Sequence, residues 1–122
     1  MSESQLLHDL RQEFGRLKNG RLLRFHVGAA RDADGRLIRF GVPGFPDLAG
    51  ILGSSETCDQ CGHIVRAQRG RWIGIEAKSE DGRVRPEQTA FHGMVRRYGG
   101  EIAVVRTLDE ARDAMRSWGA EW

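Results

Sequence analysis

No apolar run in this chain approaches the roughly 18 residues that a membrane-crossing helix needs, so no membrane partner is expected. Cysteine is scarce. The only two, Cys58 and Cys61, fall short of the four ligands that structural zinc normally takes. Lysine is equally rare, two residues against 17 arginines, and the guanidinium fork suits bidentate contact with phosphate. Internal repeats and low-complexity segments are missing too, which sets aside solenoids and biased linkers. The opening Met1-Ser2-Glu3-Ser4 has none of the basic-then-apolar pattern of a secretory leader. A cytoplasmic location is the expectation.

A length of 122 residues, 39% of them apolar and 30% charged, fits one soluble domain with a single core. The net charge of +2 hides an uneven distribution. From Arg11 to Arg39 there are eight Lys/Arg against three acids, and from Arg66 to Arg97 eight against four. Such basic stretches are compatible with a nucleic-acid partner.

Ser2 and Gln5 have capping-box spacing, and Leu6, Leu7, Leu10, Phe14 and Leu17 follow with helical periodicity, predicting a helix over 3–18 ended by Asn19-Gly20. Residues 22–27 read as a strand. Asp32-Ala33-Asp34-Gly35 reads as a turn and 36–40 as a short returning strand. Gly41 to Pro46 is a loop punctuated by Gly and Pro. It leads into a buried strand over 47–52, where a lone Asp47 calls for a partner. Residues 54–70 read as a polar, irregular hairpin extension. Pro86 suits the first position of a helix, with Ala90, Phe91, Met94, Val95 and Tyr98 as its apolar face and Gly99-Gly100 as its end. A short strand over 102–105 and a last helix follow, the helix capped by Thr107 and Glu110 and lined by Leu108, Ala111 and Met115. The order predicts a mixed α/β (α+β) fold.

The chemistry concentrates in Trp72-Ile73-Gly74-Ile75-Glu76-Ala77-Lys78. Alternation along a strand puts Ile73, Ile75 and Ala77 on one face and Glu76 and Lys78 on the other. With Asp47 on a neighbouring strand, two carboxylates and an ammonium would converge. Such carboxylates repel unless a divalent cation sits between them, and their hard oxygens suit Mg²⁺ or Mn²⁺. That set suits metal-dependent cleavage of a phosphodiester. Alone, a Glu-x-Lys on a strand is common and carries little weight.

The ordered set Glu3, Phe40-Gly41-Val42-Pro43-Gly44-Phe45-Pro46-Asp47, Ile75-Glu76-Ala77-Lys78, Gly82-Arg83, Pro86-Glu87-Gln88 and Gly99-Gly100 resembles the virus-type replication-repair nuclease (VRR-NUC) domain of the PD-(D/E)XK superfamily. The resemblance spans Glu3 to about Met115 and implies a restriction-endonuclease-like core. It further implies that Asp47, Glu76 and the Ala77 carbonyl hold the metal with Glu3, directly or through water. Lys78 would orient or deprotonate the attacking water, and Gln88 would position Lys78 or that water. The implied activity is endonucleolytic cleavage of branched DNA, a four-way junction or flap, by a homodimer in phage or bacterial replication and repair. Arg24, His26, Arg83 and Arg85 are candidates for DNA contact, and so are Arg96 and Arg97, the alternatives being a hydrogen-bonded scaffold histidine for His26 and solvated helix surface for Arg96 and Arg97.

Two features stand beside that pattern. Cys58-Asp59-Gln60-Cys61-Gly62-His63 is an insertion relative to it and half of a zinc ribbon. His63 would be a third Zn²⁺ ligand and the fourth would come from elsewhere or from another subunit, a free dithiol or a disulfide being the alternatives. Trp118 and Trp122 serve either packing of the last helix or dimerisation. Two other function classes remain open: a non-catalytic DNA-binding or assembly module that keeps the nuclease fold, and a small zinc-binding interaction module centred on Cys58 and Cys61. An acid in a first helical turn, like Glu3, is also often only a dipole partner, and Gln88 at the third helical position is also placed to cap.

Overall fold

Ser2 opens the first helix by accepting the Gln5 backbone N–H on its hydroxyl at 3.1 Å. The reciprocal half of the box is not made, because the Gln5 side chain donates to Asp9 instead. This computed structural model describes residues 2–26 and 28–122, with the side chains at 40, 55–57 and 64–68 outside the description. Helix α1 covers Glu3–Phe14 and stops earlier than its apolar spacing suggests. Gly15 takes the C-cap, where a residue of poor helix propensity ends the run. Leu17 is still buried, but from the turn that follows. Asn19 acts as a staple rather than a helix end, its side chain bonding the Gly119 carbonyl and the Glu121 amide, both at 2.9 Å.

The strands are β1 (Gly20–Arg24), β2 (Gly28–Arg31), β3 (Leu37–Phe40), β4 (Leu48–Thr57), β5 (Ile64–Ala77) and β6 (Glu101–Val105). The strand expected over 22–27 ends at Arg24, and Val27 lies outside the described residues. The 36–40 strand exists, but it pairs with β2 in a separate two-stranded sheet. Its turn is tied by Asp32 Oδ1, which accepts the Asp34 and Arg36 amides. The stretch expected to be an irregular hairpin extension continues β4 and β5, which stay paired as far as Thr57 opposite Ile64, with register shifts between Ser54 and Thr57.

The main sheet has the order β1-β4-β5-β6. Its first two pairings are antiparallel and the β5–β6 pairing is parallel. Parallel neighbours need a crossover, and helix α2 (Pro86–Arg97) supplies it. Helix α3 (Leu108–Ser117) closes the chain, with Thr107 accepting the Glu110 amide and Glu110 accepting the Arg106 amide. The architecture is mixed α/β, a mixed sheet with three helices.

Alternation on β5 sorts the layers. Ile73, Ile75 and Ala77 are fully buried against Leu6, Leu10 and Phe14 of α1 and Ala111 and Met115 of α3. Trp118 and Trp122 pack on the same core, and Trp122 meets the Phe14 ring edge-on at 4.9 Å between centroids. The other face carries Trp72 and Glu76, and α2 covers it through Phe91 and Gln88. The expected apolar face of α2 is therefore only partly right. Val95 is buried and Phe91 half-buried, whereas Ala90, Met94 and Tyr98 face solvent, Tyr98 at 77% exposure. Gln88 and His92 take the inward positions. The sheet face beneath bears Glu76 and Lys78, and buried polar groups recruit polar partners, so the helix is turned to bring its own polar side chains inward.

Candidate active site

Leu48 pairs with Ile75 across β4 and β5. One step further along this register brings Asp47 opposite Glu76, on the face that α2 covers. Like charges directly opposite on neighbouring strands are destabilising. The sequence has placed them there and surrounded them with support.

Asp47 is held from three sides. Its Oδ2 accepts the Ala77 N–H at 2.9 Å, and its Oδ1 lies 3.5 Å from the Arg24 guanidinium. Its carbonyl accepts from Arg24 and from the Phe25 amide, both at 3.0 Å. Glu76 is 3% exposed. Its Oε1 accepts the Gln88 amide at 3.0 Å and lies 3.8 Å from the Lys78 ammonium, itself buried. Its Oε2 is buried with no hydrogen-bond partner among the described residues. Burial first, and then the Asp47 carboxylate alongside, push the Glu76 carboxyl far above the ordinary carboxylate range, to about 8, with Lys78 pulling the other way.

These groups open into one cavity of about 350 Å³ lined by Glu3, Arg24, His26, Asp47, Glu76, Lys78, Arg85 and Gln88, along with Phe25, Gly44, Phe45, Pro46 and Glu87. Eight of the residues singled out in the sequence thus share one wall. Two of them make contacts beyond those expected. Gln88 contacts Glu76 rather than Lys78, and at the same time its Oε1 accepts the Arg85 amide at 2.9 Å, so it both caps α2 and steadies a carboxylate. Arg24 is committed to Asp47. Ala77 donates its backbone N–H to Asp47. Arg83 is exposed and does not line the cavity. Cys58, Cys61 and His63 sit in the turn between β4 and β5, and no group of three or more His, Cys, Asp or Glu side chains poised to hold a metal is found among the described residues.

Other participants went unread. Phe45 stacks edge-on with Phe25 at 5.1 Å, Phe91 at 5.3 Å and Trp72 at 5.9 Å, tying the loop before Asp47 to both strand and helix. Gly44 adopts φ +83°, and a Cβ there would run into the Glu87 carbonyl, so only glycine lets the loop lie this close to α2. Arg106 clasps the turn after Lys78, donating to the carbonyls of Ser79 at 2.6 Å and Gly82 at 2.7 Å. His92, one turn beyond Gln88, was readable from its i+4 spacing; it is buried and its Nε2 has no partner among the described residues.

The donor set fits a divalent cation. Two carboxylates meet, and one buried oxygen is left unsatisfied where a buried acceptor normally has a partner. Asp47 and Glu76 would supply protein oxygens, Glu3 lines the same cavity, and open positions would remain for water and phosphate oxygens, as Mg²⁺ prefers. Comparison with family models, curated proteins and solved structures returns no match for this chain.

Proposed function

We propose that this chain is a Mg²⁺- or Mn²⁺-dependent endodeoxyribonuclease with a restriction-endonuclease-like core, acting on branched DNA as a VRR-NUC-like enzyme. The observation that carries the reading is the meeting of Asp47 and Glu76 beside Lys78, with Glu76 Oε2 buried and unpartnered among the described residues. The parallel β5–β6 pair crossed over by α2 supports the core assignment.

The chemistry asked of the site is hydrolysis. A water oxygen forms a bond to phosphorus, the bond to one ester oxygen breaks, and that oxygen departs as an alcohol. A cation held by Asp47 and Glu76 would acidify the water and offset charge on the phosphoryl oxygens. The rest falls to the chain. Lys78 places an ammonium in the cavity, where it orients the water and stabilises negative charge growing on the phosphate. Gln88 fixes Glu76, and Arg24 with the Ala77 amide fixes Asp47, so the carboxylates need little reorganisation. Arg85 and His26, both exposed at the cavity, face an incoming backbone.

Incubating the protein with linear, nicked, flap and four-way DNA in Mg²⁺, Mn²⁺ or EDTA tests this. Metal-dependent cleavage, lost in Asp47→Ala with DNA binding retained, is expected. Binding without cleavage of any substrate in either metal would replace the reading with a non-catalytic DNA-binding module.

A further inference from the structure

The hairpin formed by β4 and β5 outruns its sheet. β1 covers β4 only over 48–52, and β6 covers β5 only over 73–77. Beyond these positions the two strands continue alone to Thr57 and Ile64. A two-stranded ribbon is marginal in water by itself, so an arm of this length calls for something at its end. What stands there is Cys58-Asp59-Gln60-Cys61-Gly62-His63.

The turn closes on the backbone of Cys58. The Cys58 amide donates to the His63 carbonyl and the Gly62 amide donates to the Cys58 carbonyl, both at 2.8 Å. Gly62 takes φ +72°, open to glycine at no cost. Both cysteines are free, Cys61 exposed. His63 does not join them in a three-ligand group among the described residues. The tip therefore offers two sulfur ligands at knuckle spacing, where tetrahedral zinc wants four.

We propose that the Cys58–Cys61 knuckle is one half of a zinc site completed by the same two cysteines of a second copy, joining two arms tip to tip. A second copy is the simplest source of an identical pair, and a two-fold axis through the metal gives a closed dimer with self-complementary contact. The inference does not depend on the nuclease reading of the cavity, which lies at the other end of β5.

Untagged protein purified without chelator should hold one zinc for every two chains by elemental analysis and run as a dimer by light scattering. Cobalt substitution should give the charge-transfer absorption of a tetrathiolate. Cys58→Ser and Cys61→Ser, with circular dichroism confirming that the core is folded, should each lose zinc and become monomeric. No zinc, one zinc per monomer, or a dimer that persists in the metal-free variants would each overturn the proposal. Cleavage of DNA is not among these readouts, so the two readings fail separately.

Discussion

Glu76 is a residue whose surroundings work against its own charge. Its carboxyl titrates near 8 through burial and the Asp47 carboxylate. A carboxyl with a raised folded pKa contributes stability that is present below its unfolded value of 4.5 and lost as pH rises through about 8. In EDTA, Glu76→Gln removes that loss, since an amide donates to Asp47 without ionising. The variant should be about 1–3 kcal/mol more stable than the parent at pH 9, the cost of a buried unsatisfied group, with the gap shrinking towards pH 5. Thermal unfolding across pH 5–9 checks this; a gap that is constant with pH would remove the explanation. The same variant should lose metal-dependent cleavage. Lys78→Ala should lower the cleavage rate by a factor of about 100 or more, the effect of removing one group that stabilises transition-state charge. A twofold change in single-turnover rate would take Lys78 out of the mechanism. The facing of Glu76 and Lys78 was legible in the sequence because strand alternation fixes which side chains share a face. The Gln88–Glu76 and Arg24–Asp47 contacts were not, because they depend on how α2 is rotated and how closely the Phe25–Asp47 backbone segments lie.

Elements are joined here by polar clasps as well as by the core. Arg112 of α3 reaches α1 with a bidentate pair to Glu13, 2.6 and 2.8 Å, and the Trp122 indole donates to the same carboxylate at 3.3 Å. The Arg112 hydrogen bond above all holds the Glu13 carboxyl below its ordinary range. A depressed carboxyl pKa gives stability that is present above the unfolded value and lost as pH falls through the folded one. Glu13→Gln should therefore lower Tm at pH 7 and become indistinguishable from the parent in acid below the lowered folded-state pKa of Glu13. An equal deficit at both pH values would assign the effect to packing instead. Beneath the clasp, Phe14→Ala should cost about 3–5 kcal/mol by denaturant unfolding, since the ring is fully buried and stacked on Trp122. Apolar periodicity revealed α1 and α3, which bury hydrophobic stripes. It misled on α2, where Gln88 and His92 are the inward residues and Met94 and Tyr98 are not. Periodicity finds the face opposite water only when that face is apolar, and a helix closing a polar site breaks the rule.

At the scale of the molecule, the count of 17 arginines overstates the surface available to a polyanion. Arg24 serves Asp47, Arg106 clasps the Ser79–Gly82 turn, and Arg112 binds Glu13 and Asp109. Arg71 reaches the Trp118 carbonyl and Glu101, and Arg96 the Ile102 carbonyl. Arg83, Arg85 and Arg97 remain exposed on or before α2. If about three such contacts neutralise phosphates, the logarithm of DNA affinity should fall against the logarithm of salt with a slope near −3, and a zinc-joined dimer gripping with both copies should approach twice that. Arg83→Ala with Arg85→Ala should weaken binding at low salt and make the slope shallower by about two, regardless of DNA sequence, because phosphate contacts carry no sequence information. Fluorescence anisotropy with flap and duplex DNA, in Ca²⁺ to prevent cleavage, reads both quantities. A salt response that is flat, or unchanged in the double variant, would place the docking surface away from this rim and leave the cavity without a route for its substrate.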